Sequence, residues 1–242
     1  YSQMVKICSI GESQVAEEIE DLIESQTNPT IAPYAKTGEV HLRITAKGKN
    51  EKECKKLIKP VVKELKARFG RNIFATEESK SLEEAVVDML KEQEMTLSLA
   101  ESCTGGAIAA RIVNVSGASE VFLQGMVTYS NKAKRRCLDV SKSTLKKHGA
   151  VSEECAAEMA KGGRKASKTD ICLSVTGIAG PGGGTKEKPV GTVFMGCSYK
   201  GCTQVREFHF QGNRARVREQ TVAHGLAFLR DCMMERADKQ DK

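Results

Sequence analysis

Four stretches of the 242-residue sequence combine residue types and spacings that could do chemistry. The first is Ala100-Glu101-Ser102-Cys103-Thr104-Gly105-Gly106, between a strand-like and a helix-like segment. N–H groups at a helix N-terminus lack intrahelical partners and the helix dipole adds partial positive charge, so such a turn suits an oxyanion or a phosphate. A nucleophile beside those donors gains an oxyanion hole, and Ser102 and Cys103 both fit. A thiol in that setting is expected to have a lowered pKa. The structural alternative is an ordinary helix cap with glycines for close packing.

The second stretch, Thr128-Tyr129-Ser130-Asn131-Lys132-Ala133-Lys134, follows an apolar strand-like run. Sites in α/β sheets collect at strand ends. A serine nucleophile needs a base, and of the four histidines only His148 falls in a suitable loop. A lysine whose pKa is lowered by burial can take the proton instead, which brings in Lys134 or Lys132. A solvated basic turn is the alternative. The third stretch runs from Thr176-Gly177-Ile178-Ala179-Gly180-Pro181-Gly182-Gly183-Gly184 to Lys188-Pro189-Val190-Gly191-Thr192. Its glycines let backbone approach a ligand, yet the spacing fits neither a P-loop nor a dinucleotide fingerprint, so ATP and NAD are not indicated and no cofactor is expected. The fourth, Gly212-Asn213-Arg214-Ala215-Arg216-Val217-Arg218, opens a helix with three arginines, where the dipole disfavours cations. A phosphate held by Arg214 would explain them, and so would pairing with acids from a neighbouring segment.

Elements must position these groups. Periodicity predicts a strand over 4–10, a helix from Ser13 through Val15, Ile19, Leu22 and Ile23, a hairpin over 29–46 and a helix from Asn50 that Gly70 ends, with a kink or break at Pro60. Residues 1–76 thus form a small α+β unit, and 77–81 a linker. From 82 onward the order is helix (to about Gln93), strand (96–100), helix (104–113), strand (122–129), helical stretches to His148, helix (152–165), strand (170–175), the glycine loop, strands (192–199 and 204–210) and a helix from Arg214. Alternation of this kind predicts a layered α/β fold with a mixed sheet flanked by helices, preceded by the α+β unit.

Composition narrows the classes. The 38 Lys plus Arg against 31 Asp plus Glu give a net charge of +7, mixed along the chain and too mild to name nucleic acid as partner. At 40% hydrophobic residues the chain can build a core, and no run reaches a membrane-spanning length. No signal-peptide layout opens the sequence, so a cytoplasmic protein is expected, and Tyr1 in place of Met suggests a piece of something longer. The nine cysteines are scattered without a Cys-x-x-Cys pair, so no metal site is expected and most are read as small hydrophobes.

Taken jointly, the motifs at 100–106, 128–134 and 176–184, with Gly-Ala-Val-Ser at 149–152, Lys-Pro-Val-Gly-Thr-Val at 188–193 and Gly-x-Arg at 212–214, resemble the CinA C-terminal family over about 82–234. Residues 1–76 look like the KH-type middle region of longer CinA proteins. Their N-terminal molybdopterin-binding-like domain looks absent, and its pyrophosphatase activity is not expected. The resemblance implies a nicotinamide-nucleotide amidase domain over 82–242 that converts nicotinamide mononucleotide to nicotinate mononucleotide and ammonia. It implies Ser102 as nucleophile, Lys134 as base and Tyr129 as their helper. N–H groups over Cys103, Thr104, Gly105 and Gly106 would hold the oxyanion, Thr176, Gly177, Gly180 and Gly183 would approach the nucleotide, and Arg214 would hold its phosphate. A non-catalytic pyridine-nucleotide-binding regulator is the alternative. The KH-like unit lacks the Gly-x-x-Gly loop that clamps nucleic acid, so RNA is not expected, whereas packing or homodimer formation is.

Overall fold

In the computed structural model, which describes residues 1–240, the chain divides into two compact units, Tyr1–Ala85 and a second from Val86 onward. The first unit contains β1 (Ser2–Cys8), α1 (Glu12–Glu18), α2 (Glu20–Glu24), β2 (Thr30–Lys36), β3 (Glu39–Thr45), α3 (Glu51–Phe69) and β4 (Ile73–Ala75). Its antiparallel sheet has the order β2-β3-β1-β4. Alternate residues Val5, Ile7, Val40, Leu42 and Ile44 are buried with Ile58, Val62, Leu65 and Phe69 of α3, as period-2 and period-3.6 patterning requires. Asn50 caps α3 by accepting from the Glu53 N–H at 3.0 Å. The break expected at Pro60 is corrected: α3 runs unbroken through it. Its buried face continues on both sides of the proline, and that packing outweighs one missing main-chain donor. The segment read as one helix after Ser13 is two short helices instead.

The division between units falls within α4 (Leu82–Glu92). Its start is a capping box: Glu84 N–H donates to Ser81 Oγ and Ser81 N–H donates back to Glu84 Oε2. The second unit continues with β5 (Leu97–Glu101), α5 (Ala107–Val113), β6 (Phe122–Val127), α6 (Asn131–Leu138), α7 (Lys142–Lys147), α8 (Glu153–Ser167), β7 (Ile171–Gly177), β8 (Thr192–Tyr199), β9 (Cys202–His209) and α9 (Arg214–Gln240). Sheet order is β6-β5-β7-β8-β9, with β6, β5 and β7 parallel and β8 and β9 antiparallel additions. This is the mixed sheet the alternation predicts.

Helices cover both faces. On one side α8 lies so close that a Cβ at Gly163 would meet Cys172 Sγ and the Ala100 Cβ; on the other, one at Gly225 of α9 would meet Ile108 and Leu173. Cys172 and Leu173 are successive residues of one strand and point to opposite faces. The tightest approach is between α8 and α6, where a Cβ at Gly162 would stand 1.8 Å from the Leu138 carbonyl oxygen. Among the described residues no helix is long and apolar enough to cross a membrane, and no group of three or more His, Cys, Asp or Glu is placed to hold a metal.

Candidate functional site

Three parallel strands finish at one edge of the second sheet. Glu101 of β5 is in register with Val127 of β6 and Val175 of β7, and the Thr128 N–H donates to the Glu101 carbonyl at 2.8 Å. Ser102 and Thr128, each the next residue along its strand, are therefore neighbours. Ser130 then caps α6 by accepting from the Ala133 N–H, and the helix carries Lys134 back over the strand ends. Lys134 Nζ lies 2.9 Å from Ser102 Oγ and donates to the Thr128 carbonyl at 2.8 Å. Its side chain is among the largest fully buried ones, 1% exposed, and Ser102 is 8% exposed. Lys132 lies on the exposed side of the same helix.

Burial lowers the Lys134 pKa from its ordinary 10.5, because the ammonium loses hydration; the thiols of Cys155 and Cys103 pull weakly the other way. Burial also pushes the Cys103 thiol up to about 11 and the Cys155 thiol up to about 11. The expectation of a lowered thiol pKa at this turn is thus corrected: desolvation outweighs the nearby lysine and backbone N–H groups. Both cysteines are protonated at neutral pH.

The helix N-terminus is differently used from what the motif suggested. The Glu101 carboxylate, buried, accepts from the N–H groups of Gly106, Ile108 and Ala109 at 3.0, 3.2 and 2.9 Å, while the Gly105 N–H donates to the Ser102 carbonyl at 3.1 Å. Gly106, at φ +94°, makes the left-handed step into α5 that a side chain would oppose. Gly105 and Gly106 therefore offer no free N–H donor to an oxyanion. Among the described residues the N–H groups of Cys103 and Thr104 touch only the Cys103 sulfur, a weak acceptor, and are the donors still available. The Thr104 hydroxyl is buried without a hydrogen-bond partner.

Around this floor lies an open rim. Tyr129 is 62% exposed, and its hydroxyl accepts from Arg214 Nη2 at 3.1 Å, so the structure joins it to the rim, not to the Ser102 and Lys134 pair. Arg214 Nη1 donates to the Gly180 carbonyl at 3.0 Å, which ties the glycine loop to the start of α9. Two of five guanidinium N–H groups are used there and three remain. Thr176 is buried, its hydroxyl donating to the Ala150 carbonyl at 2.7 Å, and a Cβ at Gly177 would collide with Val193, so both serve the packing beneath the loop. Gly180 and Gly183 take positive φ in the loop itself. His148 pairs with Glu154 at 2.8 Å, apart from Ser102.

Comparison with known proteins gives two family matches: the CinA C-terminal domain over residues 79–233 and the damage-inducible protein CinA KH domain over 2–75. The chain belongs to the CinA family. A CinA-like protein of Dictyoglomus turgidum is 50% identical across 95% of this chain, and one of Kosmotoga olearia 48% across 97%. The chain spans little more than half the length of these relatives, 56% and 57%. Among solved structures, the competence/damage inducible protein CihA from Agrobacterium tumefaciens superposes with a TM-score of 0.60 at 39% identity, over 61% of this chain and 91% of that one. A competence or damage-inducible protein from Enterobacter asburiae gives 0.60 at 32%, over 64% and 99%.

Two residues of this CinA chain were missed as parts of the site. Glu101 stood inside the first motif without a role, although an acid just before a helix start is a recognised signal. Arg218 stood among the arginines opening α9, yet nothing local showed its target: Nε donates to the Cys103 carbonyl at 3.1 Å and Nη2 to the Thr104 carbonyl at 2.7 Å.

Proposed function

We propose that this CinA chain is a nicotinamide-nucleotide amidase, hydrolysing nicotinamide mononucleotide to nicotinate mononucleotide and ammonia. The observation that carries the reading is the buried hydrogen bond between Lys134 and Ser102. A lysine whose pKa burial lowers has one evident use beside a hydroxyl, which is to take its proton. Ser102 Oγ attacks the carboxamide carbon as that proton passes to the Lys134 amine. The oxyanion faces the N–H groups of Cys103 and Thr104. Lys134 returns the proton to the departing nitrogen, ammonia leaves, and the acyl group stays on Ser102. Water then attacks the ester, giving its proton to Lys134, and the acid is released with Ser102 restored. Nucleophile and base both come from the protein, so the reaction draws on no cofactor. The unused N–H groups of Arg214, with the Gly180 to Gly184 loop, take the 5′-phosphate.

Ammonia release from nicotinamide mononucleotide by the intact chain tests this directly. Stoichiometric ammonia and nicotinate mononucleotide are expected. Tight binding of the nucleotide with no ammonia would instead identify a non-catalytic nucleotide-binding regulator. The same reading takes the intact chain as a homodimer, which sedimentation equilibrium checks.

A further inference from the structure

We infer that Arg218 is a positioning residue that sets one oxyanion donor, the Thr104 N–H, by gripping the carbonyl side of its peptide. The inference rests on the nucleophile assignment above but not on the identity of the substrate. Arg218 spends Nε on the Cys103 carbonyl and Nη2 on the Thr104 carbonyl, and neither bond is with a carboxylate. Both peptides are trans, so the N–H of each points opposite to its carbonyl. In the Thr104-Gly105 peptide the N–H is held as well, by the Ser102 carbonyl, so that unit is fixed from both sides. Among the described residues only the carbonyl of the Cys103-Thr104 peptide is fixed by a strong partner, and the Thr104 N–H, opposite the arginine, interacts with the Cys103 thiol.

Among the described residues that peptide has no other hydrogen-bonded anchor. It lies in the five-residue turn between β5 and α5, before the first helical hydrogen bonds, and Glu101 holds the donors that follow it instead. A guanidinium, with two donors in a rigid fork, can fix two successive carbonyls as an ammonium cannot. Its charge also remains close to the main chain that would bear a developing negative oxygen. Arg218 touches neither Ser102 Oγ nor Lys134 Nζ, so its action runs through the peptide.

The test compares Arg218→Ala and Arg218→Lys with the unaltered chain, using covalent labelling of Ser102 by a fluorophosphonate, whose phosphoryl oxygen needs the same donors whatever the natural substrate. Labelling is expected to slow by about 10- to 100-fold in Arg218→Ala and by roughly 3- to 10-fold in Arg218→Lys. On nicotinamide mononucleotide kcat should fall in parallel while KM stays within about twofold. Thermal midpoints close to that of the unaltered chain would show that the fold is kept. Unchanged labelling and kcat in Arg218→Ala overturn the positioning role alone. Failure of the unaltered chain to label at Ser102 sinks the nucleophile assignment and this inference together, whereas labelling without ammonia release removes only the proposed substrate.

Discussion

The floor and the rim of this sheet edge are built on opposite terms. In the floor Ser102, Cys103, Thr104 and Lys134 are buried, and the Ser102 hydroxyl, the Lys134 amine and the Cys103 and Thr104 carbonyls are each held by a partner within the floor or from α9. In the rim Tyr129 and Arg214 are exposed, and they touch one another and a loop carbonyl. Chemistry that depends on a proton moving between two atoms gains from fixed geometry and a low dielectric, which strengthens every interaction at the reacting centre. Recognition of a phosphate needs charge and open donors instead, because the ligand must enter and leave. Loss of a floor residue should therefore appear in kcat, and loss of a rim residue in KM.

The largest effect is expected from Ser102→Ala, which should lower kcat by at least about 1,000-fold while nucleotide still binds through the rim. Isothermal titration of the variant with substrate separates the two; residual turnover near the normal rate would end the serine assignment. Lys134→Ala follows, with kcat down by about 100- to 10,000-fold. In the unaltered chain the proposed activity should climb with pH, because the ammonium cannot accept a proton and burial holds its pKa below 10.5. Stability carries the same sign: the unfolded chain keeps this proton to higher pH, so the lysine's contribution grows between its folded pKa and 10.5. A pH-independent rate from 6 to 9, or full activity in Lys134→Ala with loss in Lys132→Ala, would move the base elsewhere.

Arg214→Ala should cost about 1.5–3 kcal/mol of binding, a rise in KM of roughly 10- to 150-fold with little change in kcat. A collapsed kcat with normal KM would erase the line between floor and rim. The smallest effect is expected from Cys103→Ala, with kcat within about threefold, since the proposed reaction uses the Cys103 backbone and not its sulfur. With its thiol at about 11, roughly one molecule in a thousand carries the thiolate at pH 8, so iodoacetamide should inactivate slowly. Rapid inactivation by labelling at Cys103, with Ser102→Ala still active, would make the enzyme a thiol amidase.

Much of the floor was legible in the sequence because strand ends and helix starts are local features. Ser102 and Lys134 each lie just past an apolar run, and three parallel strands bring such ends to one edge without any knowledge of side chains. The choice of Lys134 over Lys132 needed the Ser130 cap, which sets the phase of α6 and so decides which lysine turns inward. The partners of Arg214, Arg218 and Tyr129 were not legible: they are brought together across 34 to 115 positions by the packing of α9 on the sheet. Burial reversed the expected direction at Cys103 for the same reason, since exposure is a tertiary property. In the first unit a local rule failed at Pro60, where the apolar face of α3 prevailed.

Gly162 gives the site a remote lever. It lies on α8, far along the chain from Ser102, yet it sets how closely α6 can seat, because Leu138 stands one turn beyond Lys134 on that helix. A single methyl there would meet a carbonyl oxygen, which cannot rotate aside as a side-chain tip could, so the helix itself would have to retreat. The spacing between Lys134 and Ser102 is in this sense gauged by a hydrogen atom on a helix that supplies neither of them.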